Sequence, residues 1–295
     1  MSAEPAINGG QKTITGEIRS WPPITQADRD AVLSVLDSGH LHTRWAPKAA
    51  ELEKRFAEYC GAEYCIVTNG GTQSLHMALL AVGVEPGDEV ILPAFTYWSS
   101  AAAVIQADAV PVFVDIDPVS FCIDPELIEA AITERTAAIM PVHIHGMPAD
   151  LDAVNAIARR HGLPVVDDAA QAAGARYRGK PVGGLTDVTA FSLNRLKNLT
   201  GGEGGLVTTN SEAINSRAAA TGGMGSVTVQ LDGEERVFFG HGYNYRPTEL
   251  MAALTLSQLE RLDEHNAQRR EMADYLTQRL EGIPGIAGPT TPDYA

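Results

Sequence analysis

Two spacings of apolar residues alternate along the chain. In Ala50–Cys60 (AELEKRFAEYC), Leu52, Phe56 and Tyr59 recur at helical spacing and fall near one face. Ser74–Val82 continues as a helix, and Asp150–Arg160 (DLDAVNAIARR) predicts an amphipathic helix stopped by Gly162. From about Thr248 to Leu280 the pattern is helical throughout, which predicts one long helix. Between these stretches lie apolar runs too short for helices. Cys65–Thr68, Glu89–Leu92 (after the turn Pro86-Gly87-Asp88), Ala109–Val114, Ala137–His143, Leu163–Val166, Val188–Ser192 and Gly205–Thr208 therefore read as strands. Met1–Pro23, rich in Gly, Pro and Thr, reads as an extended arm. Strand–helix alternation over most of the chain predicts an α/β fold, a mainly parallel central sheet with helices on both faces. Ligands of such sheets bind beyond the carboxyl ends of the strands, so the residues after each apolar run are the ones to inspect.

Four of those strand ends carry candidate chemistry. After Cys65–Thr68 comes Asn69-Gly70-Gly71-Thr72-Gln73-Ser74, opening a helix. Free N–H groups and the helix dipole suit an anion there, although a plain turn capped by Thr72 has the same composition. It is neither a Walker loop nor G-x-G-x-x-G. After Val90–Leu92 comes Pro93-Ala94-Phe95-Thr96-Tyr97-Trp98, where an aromatic side chain can stack on a planar ring or simply pack. After Leu163–Val166 come Asp167 and Asp168. One of them can face a cationic ring nitrogen, and a helix cap or an ion pair is the ordinary alternative. After Val188–Phe191 the run Ser192-Leu193-Asn194-Arg195-Leu196-Lys197 leads into Gly201-Gly202-Glu203-Gly204-Gly205. Desolvation and a nearby cation would make Lys197 a nucleophilic amine, and a snorkelling surface lysine is the common alternative. Together the four supply a phosphate cradle, a ring stacker, an acid for a ring nitrogen and an activated amine, the set that pyridoxal phosphate needs.

Composition narrows the classes. The 295 residues carry 22 Lys plus Arg against 37 Asp plus Glu, a net charge of -15. Such a chain lacks the surplus counter-charge of a nucleic-acid or anionic-membrane binder. Cys60, Cys65 and Cys122 form no C-x-x-C pair and no even disulfide framework, so a reducing compartment with packing cysteines is expected. The start, MSAEPAINGGQK, shows no leader pattern, and a cytoplasmic location is the expectation.

Gly71-Thr72, PAFTYW (93–98), VVDDAAQAAGARYRGKPVG (165–183), FSLNRLKNLTGGEGG (191–205) and GYNYRPTELMAALTLSQLERLD (242–263) stand in an order and spacing that resembles a known family. It is the DegT/DnrJ/EryC1/StrS sugar and cyclitol aminotransferases, fold-type-I enzymes of pyridoxal 5'-phosphate (PLP). The resemblance runs from about Trp21 to the last residue. It implies that Lys197 binds the cofactor through its amine and then shuttles a proton, and that Asp168 pairs with the pyridine nitrogen. Asp167 falls at a position that is often glutamate and is not the ring partner. Gln171 is implied at the phenolic oxygen and Tyr97 against the ring, with Gly71, Thr72, Gln73 and Ser192 around the phosphate. Asn244, from the G-x-N-Y-R motif, is implied to complete the site of a neighbouring subunit, which makes a homodimer the expected unit. Related sugar dehydratases carry histidine in place of the lysine, so Lys197 favours transamination.

Asn8-Gly9-Gly10 and Trp21-Pro22 resemble the start of the cyclitol branch and of the aminohydroxybenzoate synthases. A keto-cyclitol or ketosugar acceptor in secondary metabolism follows, with L-glutamine or L-glutamate as donor. Another fold-type-I PLP reaction, or an inactive homologue, is the alternative. A desulfurase would need a mobile nucleophilic cysteine, and none of the three lies in an obvious active-site loop. His40–Pro47 (HLHTRWAP) replaces a T-G-P turn, so a loop rebuilt around the substrate is expected there. The expected organisation is an arm over 1–23, a large PLP domain over 24–247, and over 248–295 a long helix opening a small C-terminal domain that Ala295 leaves incomplete.

Overall fold

The computed structural model describes residues 4–17, 20–42, 47–231 and 234–295; residues 43–46 of the loop expected at 40–47 lie outside them. Helix α1 (Gln26–Ser38) opens with a reciprocal capping box, the Thr25 hydroxyl accepting the Asp28 amide and the Asp28 carboxylate accepting the Thr25 amide. Then follow α2 (Pro47–Cys60), β1 (Tyr64–Thr68), α3 (Gly71–Val82), β2 (Glu89–Pro93), α4 (Ser99–Gln106), β3 (Val110–Val114), α5 (Pro125–Ala131), β4 (Thr136–Ile139), α6 (Leu151–His161) and β5 (Val166–Asp168). A two-residue ribbon, β6 (Arg176–Tyr177) with β7 (Lys180–Pro181), leads to β8 (Val188–Ser192), β9 (Gly205–Thr209) and α7 (Glu212–Gly222). The hairpin of β10 (Ser226–Leu231) and β11 (Glu234–Phe239) precedes α8 (Glu249–Leu259) and α9 (Leu262–Leu280).

The strands lie in the order β3-β2-β4-β5-β8-β9-β1. Hydrogen-bonded ladders join β3-β2-β4 and β5-β8-β9-β1, and the parallel bridges Ile139↔Val165 and Val142↔Asp168 link the two halves. Pairs β2/β3, β2/β4 and β5/β8 are parallel, whereas β9 runs antiparallel to both β8 and β1. Parallel neighbours need a long crossover. Between Ser192 and Gly205 the chain makes no crossover helix and folds straight back. The turn bearing Lys197 therefore stays at the carboxyl end of β8.

Strand period places the core on both faces. Val90, Leu92, Ala138, Met140, Val166, Val188, Ala190 and Val207 pack with α3, α4 and α7. The residues between them turn the other way: Ile91, Ile139 and Val165 pack with α5 and α6, and Phe191 and Leu206 with α2 and α8. Phe56 of α2 meets Phe191 edge-on at 5.0 Å between ring centroids. The three cysteines are free and buried, Cys60 and Cys65 in the layer with α2 and α8 and Cys122 in a separate cluster with Val142, Ile144 and Ala149.

Several boundaries differ from the sequence reading: β4 ends at Ile139 rather than His143, and α2 begins at Pro47 rather than Ala50. The long helix expected within 248–295 is two helices, α8 and α9, broken at Glu260-Arg261. No proline or glycine marks the break. Both residues at the break are in tertiary ion pairs, Glu260 with Arg55 and Arg261 with the buried Asp28. Strand β5 begins later than Leu163 and includes both aspartates, because its partners are set by Pro141 and β8. Helix α3 begins at Gly71 rather than Ser74.

Strand β1 pairs with β9 on one side, and on its free side the Val67 amide donates to Glu53 Oε1 at 3.0 Å. Burial pushes the Glu53 carboxyl up to about 7, against the lowering effect of that hydrogen bond. The folded value lies above the ordinary 4.5, so this group's stabilisation is full below pH 4.5 and is lost as pH rises to about 7. Glu53→Gln keeps the acceptor and removes the loss. The variant should be more stable than the parent by on the order of 2 kcal/mol at pH 8 and closely matched at pH 4. Urea unfolding at the two pH values measures this.

Candidate active site

The phosphate-type turn is built by close approach. Thr68 at the end of β1 and Ser74 in α3 share a 2.7 Å hydroxyl contact, and both hydroxyls point to the Gly70 carbonyl. Gly70 is the N-cap of α3, so no side chain caps the helix and Thr72 does not serve as its cap. The first-turn amides keep their capacity for an anion. A Cβ on Gly71 would lie 2.7 Å from Ser192 Cβ, and one on Gly205 would lie 2.6 Å from the Gly70 carbonyl oxygen. Glycine at both positions lets β8, β9 and the start of α3 converge, with the half-buried Thr72 and Gln73 beside buried Ser192.

The adjacent aspartates occupy opposite faces of β5, as strand period requires. Asp168, 4% exposed, turns to α4: its carboxylate accepts the Ser100 hydroxyl at 2.6 Å and the Ala170 amide at 3.0 Å. Burial nonetheless raises its pKa, with those hydrogen bonds and the charge of Lys197 acting against the rise. Asp167, fully buried, turns away. Its Oδ2 accepts the Thr186 hydroxyl at 3.1 Å and lies 3.3 Å from His143 Nε2. His143 Nδ1 accepts the Ala149 amide at 3.0 Å, so Nε2 carries the ring proton, beside Asp167 but without a hydrogen bond to it. Asp167 is thus committed to a structural cluster and Asp168 to the strand-end cleft.

Lys197 is half-buried in the β8–β9 turn, between exposed Arg195 and Leu196 and buried Leu199. Burial lowers its ammonium pKa, and the Asp168 carboxylate acts in the opposite sense. The neighbouring cation expected to add to the lowering does not contribute. Lys197 and Asp168 therefore sense each other's charge across the cleft.

Gln171 Oε1 accepts the His145 amide at 2.8 Å. A backbone N–H can only meet the oxygen, so the Gln171 NH2 is left to donate elsewhere. Tyr97 is 58% exposed at the end of β2. Its carbonyl accepts the Ser100 amide at 3.0 Å, which joins the Tyr97 turn to the residue that holds Asp168. Asn244 is exposed. Its backbone lies beside the end of β1, bridged to Gly223, with its carbonyl 3.4 Å from Asn69 Nδ2. No hydrogen bond joins its side chain to Thr72, Gln73 or Ser192 among the described residues. Gly71, Ser192, Asp168 and Lys197 thus gather at one sheet end, whereas Asn244 faces outward at its edge.

Ser100 and Trp21 carry site contacts that the motifs did not single out as roles. Ser100 follows Thr96 by one helical turn, their hydroxyls 2.7 Å apart, and that spacing behind an aromatic strand end was the available signal. Trp21 donates its indole N–H to the Lys197 carbonyl at 3.1 Å. No local pattern could show this, because 176 residues separate them.

Residues 22–295 match the model of the DegT/DnrJ/EryC1/StrS aminotransferase family. The chain is similar to GDP-perosamine synthase of Caulobacter vibrioides, 44% identical over 264 residues that cover 88% of this chain and 68% of that protein. It is similar to L-glutamine:scyllo-inosose aminotransferase of Streptomyces griseus, 40% identical over 310 aligned positions that cover 99% of this chain and 72% of that protein. Among solved structures, 3-amino-5-hydroxybenzoic acid synthase matches with a TM-score of 0.88 at 36% identity, covering 95% of this chain and 72% of that one. Spr1654 of Streptococcus pneumoniae in its PLP form matches with a TM-score of 0.82 at 31% identity, covering 89% of this chain and 71% of that one. No helix among the described residues is long and apolar enough to cross a membrane.

Proposed function

The chain belongs to the DegT/DnrJ/EryC1/StrS aminotransferase family, and from that premise we propose that it holds PLP at Lys197 and Asp168 and moves an amino group from L-glutamine, or L-glutamate, to a keto-cyclitol. The observation that carries the reading is the pair itself. A desolvated amine and a buried, hydrogen-bonded carboxylate act on each other beside an uncapped glycine turn. The residues fit a pyridine ring bearing a phosphate: Gly71 lets Ser192 come up against the start of α3, and that first turn with Ser192 offers donors to the phosphate. Gln171 has an amide NH2 to give to the phenolic oxygen, and Tyr97 has an open ring face.

The bound cofactor would supply an electron sink for the carbanion formed at the donor α-carbon. The chain's residues do the rest. Asp168, buried and held by Ser100, would pair with the ring nitrogen and keep it protonated. Lys197 Nζ, neutral more readily than a surface lysine, takes the α-proton of the donor. In the return half-reaction it gives a proton to the acceptor carbon that carries the new amine. Ser100 holds the Asp168 carboxylate in register throughout. Asn244, exposed at the sheet edge, completes the phosphate site of a second copy, which makes the working unit a homodimer.

A cyclitol acceptor is supported by the arm, because the similarity to the inosose aminotransferase extends over 99% of this chain and so takes in the arm. The test uses L-glutamine labelled with 15N at the α-amine, with scyllo-inosose or a GDP-linked ketosugar as acceptor. Mass spectrometry should find the label in the cyclitol amine. Label only in the nucleotide sugar would move the acceptor to that branch, and no transfer from glutamine or glutamate would overturn the reading.

A further inference from the structure

The turn that carries Lys197 is gripped from α9. The Trp21 indole N–H donates to the Lys197 carbonyl at 3.1 Å. The indole is itself seated by α9, with the Arg269 guanidinium 3.9 Å above its ring centroid and the His265 ring edge-on at 5.5 Å. His265 and Arg269 are four residues apart and share one helical face. A second grip lies alongside. Asn198 Nδ2 donates to Asn266 Oδ1 at 3.0 Å, and Asn266 Nδ2 donates to the Ala173 carbonyl at 3.0 Å. Asn198 Nδ2 also donates directly to the Ala173 carbonyl at 2.5 Å, so Asn266 reinforces an existing tie between the lysine turn and the loop that continues from Asp168. Near its buried start at Leu262, α9 holds both halves of the site.

We propose that Trp21, seated by Arg269 and His265, together with Asn266, positions Lys197 for its bond to the cofactor and for its later proton transfers. The proposal rests on the reading of Lys197 as the cofactor-binding amine. The side chain of a lysine is long and flexible, so the reach of Nζ is set by where its backbone is held. The side chain of Leu196, the preceding residue, is exposed and, among the described residues, packs against nothing that would hold the turn, whose other backbone ties, Leu196 N–H to Asn194 Oδ1 at 3.1 Å and Lys197 N–H to the Asn194 carbonyl at 2.8 Å, stay within the turn. The indole N–H grips the lysine's own carbonyl. A misplacement of about 1 Å in reacting groups costs on the order of a hundredfold in rate.

The decisive variant is Trp21→Phe, which keeps a ring for Arg269 and His265 and deletes the N–H. In the cofactor-free protein, amide hydrogen exchange over residues 194–200 should quicken about tenfold while the melting temperature stays close to the parent's. On addition of PLP, formation of the lysine-bound absorption band should slow tenfold or more, and the pH midpoint of that band should shift. The kcat of the donor half-reaction should fall by a similar factor with little change in KM. Asn266→Ala should act in the same direction, and the double variant should lose less than the product of the two, because both hold one turn. Unchanged exchange, band formation and pH midpoint in Trp21→Phe would overturn the proposal while leaving Lys197 in its role. A parent protein that forms no lysine-bound band would overturn the Lys197 reading and the proposal with it. If Trp21→Phe does not fold, Arg269→Met, which removes only the cation over the ring, decides on the same measurements.

Discussion

Lys197→Ala should abolish amino transfer, lowering the single-turnover rate with L-glutamine by about 10⁴-fold or more. The expected loss is large because in the proposed mechanism one nitrogen serves twice, as the anchor of the cofactor and as the base at the donor α-carbon. Neither Arg195 nor His143 replaces it: a guanidinium has donors and no acceptor, and His143 is buried behind β5 on the Asp167 side. Cofactor affinity should survive in part, since the glycine turn, Ser192 and Asp168 are untouched. Rapid-quench assay with equilibrium dialysis of PLP measures both quantities. Turnover within tenfold of the parent would remove Lys197 from the mechanism.

Asp168→Asn should separate activity from stability. The ring nitrogen loses its anionic partner, so the donor half-reaction should slow by about 10²–10³-fold. The cofactor-free protein should become more stable. Burial raises the Asp168 pKa above its ordinary 3.8, so this group's stabilisation is full below that value and is lost as pH rises through the raised value. An amide carries no such loss. It can still accept the Ala170 amide through its oxygen and donate to the Ser100 oxygen through its nitrogen. The melting temperature of the cofactor-free variant should therefore exceed the parent's at pH 8, with the difference shrinking toward pH 4. A variant less stable than the parent at pH 8 would show that the carboxylate's hydrogen bonds outweigh its desolvation. Function here holds a charge at a place that folding alone disfavours.

How much of this was legible in the sequence depends on the range of each interaction. The strand positions, the amphipathic α6 and the glycine turn were readable because period and turn chemistry act within a few residues. The Asp167-Asp168 pair was visible, but its residues alone left open which acid serves the site. The strand pleat separates them, sending Asp168 to Ser100 and Asp167 to His143. The break between α8 and α9 was invisible for a related reason: no proline or glycine marks it, and Arg261 there pairs with Asp28, 233 residues away.

By itself the sequence determined the alternation of strands and helices, the acidic balance, and the motifs at the strand ends that mark the family. These depend on residue type and local spacing. Only the tertiary structure decided the reversed direction of β9, which follows from the missing crossover after β8. It also decided the face each aspartate takes, the α9 grip on Lys197 through Trp21, and the desolvation that shifts Lys197 and Asp168 in opposite directions. Burial and charge coupling are sums over groups brought together from distant parts of the chain, and no local pattern contains them.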